Sequence, residues 1–253
     1  MHKFNSDGVE IAYYVEGEGP PILLIHGFAS NAQVNWIDTG WVSTLVRAGR
    51  QVVALDNRGH GNSEKLYEPA AYSAPIMAED AARLMAHLGF TKIDVMGYSM
   101  GARISAFLTM KHQNLVNAAV FAGLAENMIK GVGGAEAVAS ALEAPDKSLV
   151  RDAASRGFRL FAEQTGSDLR ALAACMRSSR QKITEAELSV IEVPALVAVG
   201  TEDTIAGAIE PLQNAVQNGY ALPIPGRDHM RAVGDKVYKQ GVLDFFANHP
   251  LMT

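Results

Sequence analysis

The chain has 253 residues, 48% of them apolar and 19% charged, with a formal net charge of -5. This length suits one α/β domain with or without a modest insertion, and the apolar fraction is ample for a sizeable core, which excludes a disordered chain. Charges of both signs are dispersed without a basic stripe, so no nucleic-acid partner is expected, and the lone cysteine, Cys175, excludes an internal disulfide and a cysteine-based zinc site.

The first residues, Met1 to Asp7, lack the apolar core of a signal peptide, and no later run reaches the length of a membrane span. A cytoplasmic protein without stable membrane association is therefore expected. Val9 to Val15 alternates and is β-branched in part, which predicts a strand of an antiparallel pair. Pro21 to Ile25 is a continuous apolar run suited to a strand buried on both faces. Strand-like and helix-like segments then alternate: Val52–Leu55, Ile76–Leu88, Ile93–Met96, Ala102–Met110 and Ala118–Phe121. That is the rhythm of a parallel sheet with helical crossovers. It resumes with Ala195–Val199, a helix from about Ala208 to Val216, the run Tyr220–Ile224, and an amphipathic last helix carrying Val237, Tyr238, Val242, Phe245 and Phe246.

Between about Glu126 and Glu187 the strand signals vanish. One helical pattern carries Leu149, Ala153, Phe158 and Phe161, and another carries Leu169, Leu172 and Met176; Ser167-Asp168 and Thr184-x-x-Glu187 read as helix starts. An insertion here would emerge beyond the carboxyl ends of the strands, where α/β proteins bind ligands. The expected organisation is an α/β core of residues 1–125 and 188–253, with a helical cap over 126–187. Apolar cap residues such as Met128, Ile129 and Val132 are expected in core more often than in a pocket, and Cys175 as a small buried residue of a cap helix.

Gly97-Tyr98-Ser99-Met100-Gly101 lies between a predicted strand and a predicted helix, the context of a nucleophile elbow, where any Cβ beside the sharp turn would crowd its neighbours. The same pattern also describes a turn whose serine merely caps a helix. A serine nucleophile needs a base, and His229, on the loop Pro225-Gly226-Arg227-Asp228-His229 before the last helix, fits better than His2, His87, His112 or His249. The base needs an acid, and Asp203 follows a strong strand in Gly200-Thr201-Glu202-Asp203, although Glu202 and Asp228 also adjoin members of the set. Backbone N–H groups of Met100, after the serine, and of Phe28, in His26-Gly27-Phe28, can supply an oxyanion hole. His26 is read as orienting its loop. No His, Cys and carboxylate cluster has metal-ligand spacing, so no metal is expected.

With these blocks and Asp56-Asn57-Arg58-Gly59-His60-Gly61-Asn62-Ser63 in order, the chain resembles the α/β-hydrolase fold family over essentially its whole length. The resemblance implies a mostly parallel central sheet flanked by helices with a small helical cap, and no cofactor. It implies Ser99, Asp203 and His229 as a triad, favouring Asp203 over Glu202, with Phe28 and Met100 as oxyanion donors and Arg58 and His60 as structural residues. Haloalkane dehalogenases and epoxide hydrolases of this fold carry aspartate where Ser99 stands. The His-Gly-Gly-Pro-Gly segment of proline iminopeptidases and the Gly-Pro-Gly of meta-cleavage C–C hydrolases are absent. What remains is similar to small bacterial esterases, enol-lactonases and cofactor-free haloperoxidases. The expected activity is hydrolysis of a small-molecule carboxylic ester, lactone or thioester, with C–C cleavage or a lyase reaction on the same triad, or a ligand-sensing receptor, as alternatives.

Overall fold

The aliphatic and β-branched runs pair into one eight-stranded sheet in the computed structural model, which describes residues 1–251. β1 (His2–Ser6) and β2 (Val9–Glu16) form an antiparallel hairpin turning at Asp7-Gly8, both with positive φ (52° and 88°), as an Asp-Gly turn requires. β3 (Pro21–Ile25) is buried at all five positions. It leads through a turn of π-helix (Gln33–Ile37) and α1 (Trp41–Arg47) to β4 (Gln51–Leu55). α2 (Ala74–His87), β5 (Ile93–Tyr98), α3 (Met100–Lys111) and β6 (Val116–Ala122) follow.

Only helices and turns then occur until the sheet resumes: α4 (Glu126–Lys130), α5 (Ala135–Glu143), α6 (Ala153–Gln164), α7 (Leu169–Ser178) and α8 (Glu185–Leu188). β7 (Ala195–Gly200), α9 (Ile209–Ala215), β8 (Gly219–Ile224) and α10 (Lys236–Asn248) complete the chain. The spatial order is β1-β2-β4-β3-β5-β6-β7-β8, antiparallel across β1, β2 and β4 and parallel from β4 onward. This is the α/β-hydrolase fold.

Alternation along each buried strand divides the core. Leu23, Ile25, Val53, Leu55 and Val95 face α2 and α3, whereas Ile22, Leu24, Val52, Ala54 and Met96 face α1 and α10. Full burial of each such aliphatic side chain contributes roughly 1.5–3 kcal/mol, so the sheet is the rigid body on which the loops are mounted. A smaller cluster of Val138, Leu142, Ala162, Leu172 and Met176 joins α5, α6 and α7 over Ala29.

Two expectations about helix faces are corrected. Leu149 does not share a stripe with Phe158: it lies 64% exposed in a short 3-10 turn (Lys147–Leu149), and α6 starts only after Asp152, whose side chain accepts the Ser155 N–H. The buried face of α6 carries Ser155, Arg159 and Ala162 instead. Arg159 is buried because its guanidinium donates to the carbonyls of Ala141, Leu142 and Ala144 at the end of α5 and pairs with Glu163 at 2.8 Å. Those carbonyls have no partner inside their own helix, so the charge replaces the capping that the sequence there lacks. Val237, in the first turn of α10, is 40% exposed, while Tyr238, Val242, Phe245 and Phe246 are buried. The capping signals are realised: Asp168 accepts the N–H groups of Arg170 and Ala171, and Thr184 with Glu187 forms a reciprocal capping box.

Candidate active site

The turn from β5 into α3 is forced by two glycines. A Cβ on Gly97 would stand 2.2 Å from the Gly101 carbonyl oxygen and 2.4 Å from Ser105 Oγ, and one on Gly101 would stand 1.9 Å from the Ile25 carbonyl oxygen. Only bare backbone lets α3 start this close to β3. Between them Ser99 adopts φ 56° and ψ -112°, a costly conformation for a residue with a side chain. Its N–H donates to the Ala122 carbonyl (2.7 Å), anchoring the turn to β6. Although Ser99 precedes the first turn of α3, its hydroxyl makes no capping bond to that helix. The hydroxyl faces the loop after β8 instead.

There His229 Nε2 lies 3.2 Å from Ser99 Oγ, and His229 Nδ1 lies 2.8 Å from Asp203 Oδ2. An ionised carboxylate can only accept, so Nδ1 carries the proton and Nε2 presents its lone pair to the hydroxyl. Asp203, on the loop after β7, is fixed by its other oxygen, which accepts the N–H groups of Ile205 (2.9 Å) and Ala206 (3.0 Å). Tyr98, beside the serine, donates its hydroxyl to the His229 carbonyl (2.6 Å) and so pins the histidine loop. Neither rival acid reaches the ring. Asp228 turns its carboxylate onto the N–H groups of Met230 and Arg231, and Glu202 is exposed.

Phe28 and Met100 flank the same space, and among the described residues neither N–H has a protein acceptor. The Phe28 loop is held from several sides. Asn35 accepts the Gly27 N–H (3.0 Å), Thr165 donates to the carbonyl of Ala29, and His26 Nδ1 meets the Gly27 carbonyl (2.7 Å) while its Nε2 accepts the Asn57 N–H (2.9 Å). His26 and His60 are wholly buried side by side; burial lowers the His26 pKa to about 4, and burial together with His26 lowers that of His60 to about 3. Both stay neutral near neutral pH and serve the loop's shape. Arg58 is likewise structural, donating twice to Asp80 of α2 at 2.7 Å.

A cavity of about 50 Å³ opens on Ser99 and His229, its apolar wall including Leu124, Val132, Phe158 and Met176. It has room for a few water molecules or a compact organic group. Of the apolar residues expected in the helical segment, Val132, Phe158 and Met176 line this cavity, whereas Met128 and Leu172 are wholly buried in core. Cys175 is also wholly buried, with its thiol pushed up to about 12 by desolvation. Two polar residues of the wall, Arg103 and Arg180, carry no local motif and were not singled out by the sequence; Arg103 stands one helical turn after Ser99, the one signal that could have marked it. Among the described residues no group of three or more His, Cys, Asp or Glu could hold a metal ion, and no helix is long and apolar enough to cross a membrane.

Residues 20–130 match a family model described as the alpha/beta hydrolase fold. A soluble epoxide hydrolase of Corynebacterium sp. strain C12 is 28% identical over 131 residues, 51% of this chain and 43% of that protein. The non-heme chloroperoxidase CPO-A1 of Kitasatospora aureofaciens is 35% identical over 95 residues, 38% of this chain and 33% of that protein. The matches thus span less than half the length of these curated relatives. Over the full fold, the enol-lactonase of Burkholderia xenovorans LB400 superposes with a TM-score of 0.80 at 19% identity, covering 97% of this chain and 100% of that one. Residues 20–130 are thus similar to the α/β-hydrolase fold family, and over the whole chain the likeness is one of fold.

Proposed function

We propose that the protein is a serine hydrolase that cleaves a carboxylic ester, lactone or thioester of a small molecule through an acyl-enzyme on Ser99. The observation that carries this reading is the continuous array from Ser99 Oγ through His229 to Asp203 at 3.2 and 2.8 Å. In the proposed cycle Ser99 Oγ attacks the ester carbonyl carbon while His229 Nε2 takes the hydroxyl proton. The carbonyl oxygen, now an anion, points at the N–H groups of Phe28 and Met100, each such donor contributing about 10²–10³ in rate. The intermediate collapses, the alkoxide or thiolate leaves with the proton from His229, and water repeats the sequence in reverse to free the acid and restore Ser99. Asp203 holds the ring's tautomer and stabilises the imidazolium. Serine at this position favours acyl transfer over the opening of epoxides or carbon–halogen bonds, for which the resembling enzymes carry aspartate. The helical segment 126–187 would act as the cap that closes the cavity over bound substrate.

The direct test is a fluorophosphonate probe at neutral pH followed by mass mapping of the adduct. Modification of Ser99 is the expected result, and an unmodified Ser99 in folded protein would withdraw the reading. The cavity volume adds a prediction on chain length. Overfilling a packed pocket costs about 1–3 kcal/mol, so 4-nitrophenyl acetate and butyrate should surpass the decanoate in kcat/KM by roughly tenfold or more. A decanoate preference would show that the pocket extends elsewhere.

A further inference from the structure

Three arginines are buried in this protein, and they differ in what balances them. Arg58 is paired with Asp80 and Arg159 with Glu163. Arg103, the most buried of the three at 2% exposure, has no carboxylate partner among the described residues. Its guanidinium donates only to carbonyls, those of Asn127, Met128 and Gln181, through its two terminal nitrogens, and its Nε has no partner. It lines the cavity that opens on Ser99. Arg180, two residues past the end of α7, lines the same cavity, also without an acid among the described residues: its guanidinium reaches the carbonyls of Val132 and Gly133 and lies 6.0 Å from the ring centroid of Phe158.

Two cations converging on one small cavity with no anion is an expensive arrangement, since a buried charge is costly unless paired and like charges raise the cost. Desolvation and the neighbouring Arg180 lower the Arg103 pKa to about 10, which still leaves it a cation at neutral pH. Carbonyl dipoles offset part of this and tie α3 to the helical segment, yet they bring no negative charge. No acidic side chain lines this wall, and the titratable groups behind it do not supply an anion to the arginines: the Cys175 thiol is held neutral by burial, and Asp203 is committed to His229 and two backbone N–H groups. A guanidinium offers a planar fork of donors that matches a carboxylate.

Resting on the serine-hydrolase reading, we infer that the substrate carries a free carboxylate a few bonds from the scissile carbonyl, and that Arg103 and Arg180 bind that carboxylate while Ser99 attacks the ester. The substrate class is then a compact half-ester or carboxylated lactone. The arginines act as binding residues, and their charge selects anionic over neutral esters of equal length.

The test compares monomethyl succinate with methyl butyrate, which match in chain length and differ in the terminal carboxylate. Charge-assisted hydrogen bonds predict a kcat/KM for monomethyl succinate higher by on the order of 10–100-fold. Arg103→Gln could lose the fold because its carbonyl contacts join two elements, so the partly exposed Arg180 carries the mutational arm: Arg180→Gln should cut the succinate-to-butyrate ratio at least about tenfold, towards one. Binding of both esters to Ser99→Ala, followed by NMR titration, gives a readout independent of turnover. A ratio near or below one in the unmutated enzyme, or equal binding of both esters to Ser99→Ala, would overturn the inference. If neither ester were cleaved while Ser99→Ala still bound monomethyl succinate preferentially and Ser99→Ala with Arg180→Gln did not, the carboxylate site would stand and ester hydrolysis would fall.

Discussion

Replacing Ser99 with alanine is expected to lower kcat on the best ester by on the order of 10⁶ while leaving the fold intact. The two halves of this expectation come from different observations. Activity collapses because no other hydroxyl occupies the position that faces His229 Nε2 at 3.2 Å. Stability survives because the Ser99 hydroxyl caps no helix N–H, so its loss leaves no orphaned donor in α3. Alanine bears the same backbone strain at φ 56° as serine, and the anchoring bond from this residue's N–H to Ala122 is unchanged. The Tm should therefore stay within about 3 °C of the unmutated enzyme, a shift of roughly 1 kcal/mol or less. Steady-state rates and thermal denaturation of the same preparation check both halves. Near-normal turnover by Ser99→Ala would assign the nucleophile elsewhere, and a large fall in Tm with modest loss of rate would mark Ser99 as a structural cap.

What could be read from the sequence follows from how each element is buried. β3 and β7 are covered on both faces, so their runs are continuously apolar and announce themselves, whereas the equally buried β5 is interrupted by Asp94, which pairs with Arg50. β1 is an edge strand with outward polar residues, and its clearest mark is the Asp7-Gly8 turn rather than its hydropathy. The π-helical turn and α1 escape a periodicity argument because they are short and owe their places to Trp36 and Trp41, fully buried aromatics that stack edge to face. The face of α6 is misread for a more instructive reason: a charged side chain, Arg159, occupies a buried position, and hydrophobic periodicity cannot see a charge balanced by carbonyls and a glutamate.

The same contrast holds at the candidate site. Ser99, Asp203 and His229 stand at strand ends within recognisable turns, so their order and context predict that they meet, and the structure brings them within hydrogen-bond reach. Arg103 and Arg180 have no such context. In sequence each is one more helical or post-helical arginine of the sort that usually faces water. What distinguishes them is a three-dimensional fact, the lack, among the described residues, of any carboxylate paired with two arginines on one cavity wall. The proposed hydrolytic chemistry thus rests largely on local motifs, while the proposed selectivity rests on the burial pattern.

Asp203→Asn is expected to keep the fold and lower kcat by on the order of 10³–10⁴, whereas Asp228→Asn and Glu202→Gln should each cost less than about tenfold. The geometry at Asp203 gives the reason. One carboxylate oxygen accepts from the backbone N–H groups of Ile205 and Ala206, and the other accepts from His229 Nδ1. An asparagine can keep the first pair only by turning its carbonyl oxygen towards them, which aims its amide NH2 at the histidine. The ring must then present an unprotonated Nδ1, and its proton moves to Nε2, facing Ser99 as a donor. A base in that tautomer cannot take the serine proton, although every heavy atom is nearly where it was. Asp228, bound to the N–H groups of Met230 and Arg231, and the exposed Glu202 touch neither ring nitrogen, so neutralising them alters only the long-range field, which solvent screens. Steady-state kinetics of the three variants, with circular dichroism to establish folding, decide the matter. If Asp228→Asn or Glu202→Gln proved crippling while Asp203→Asn stayed near the unmutated rate, the acid would have to be reassigned and the proposed hydrogen-bond relay redrawn around it.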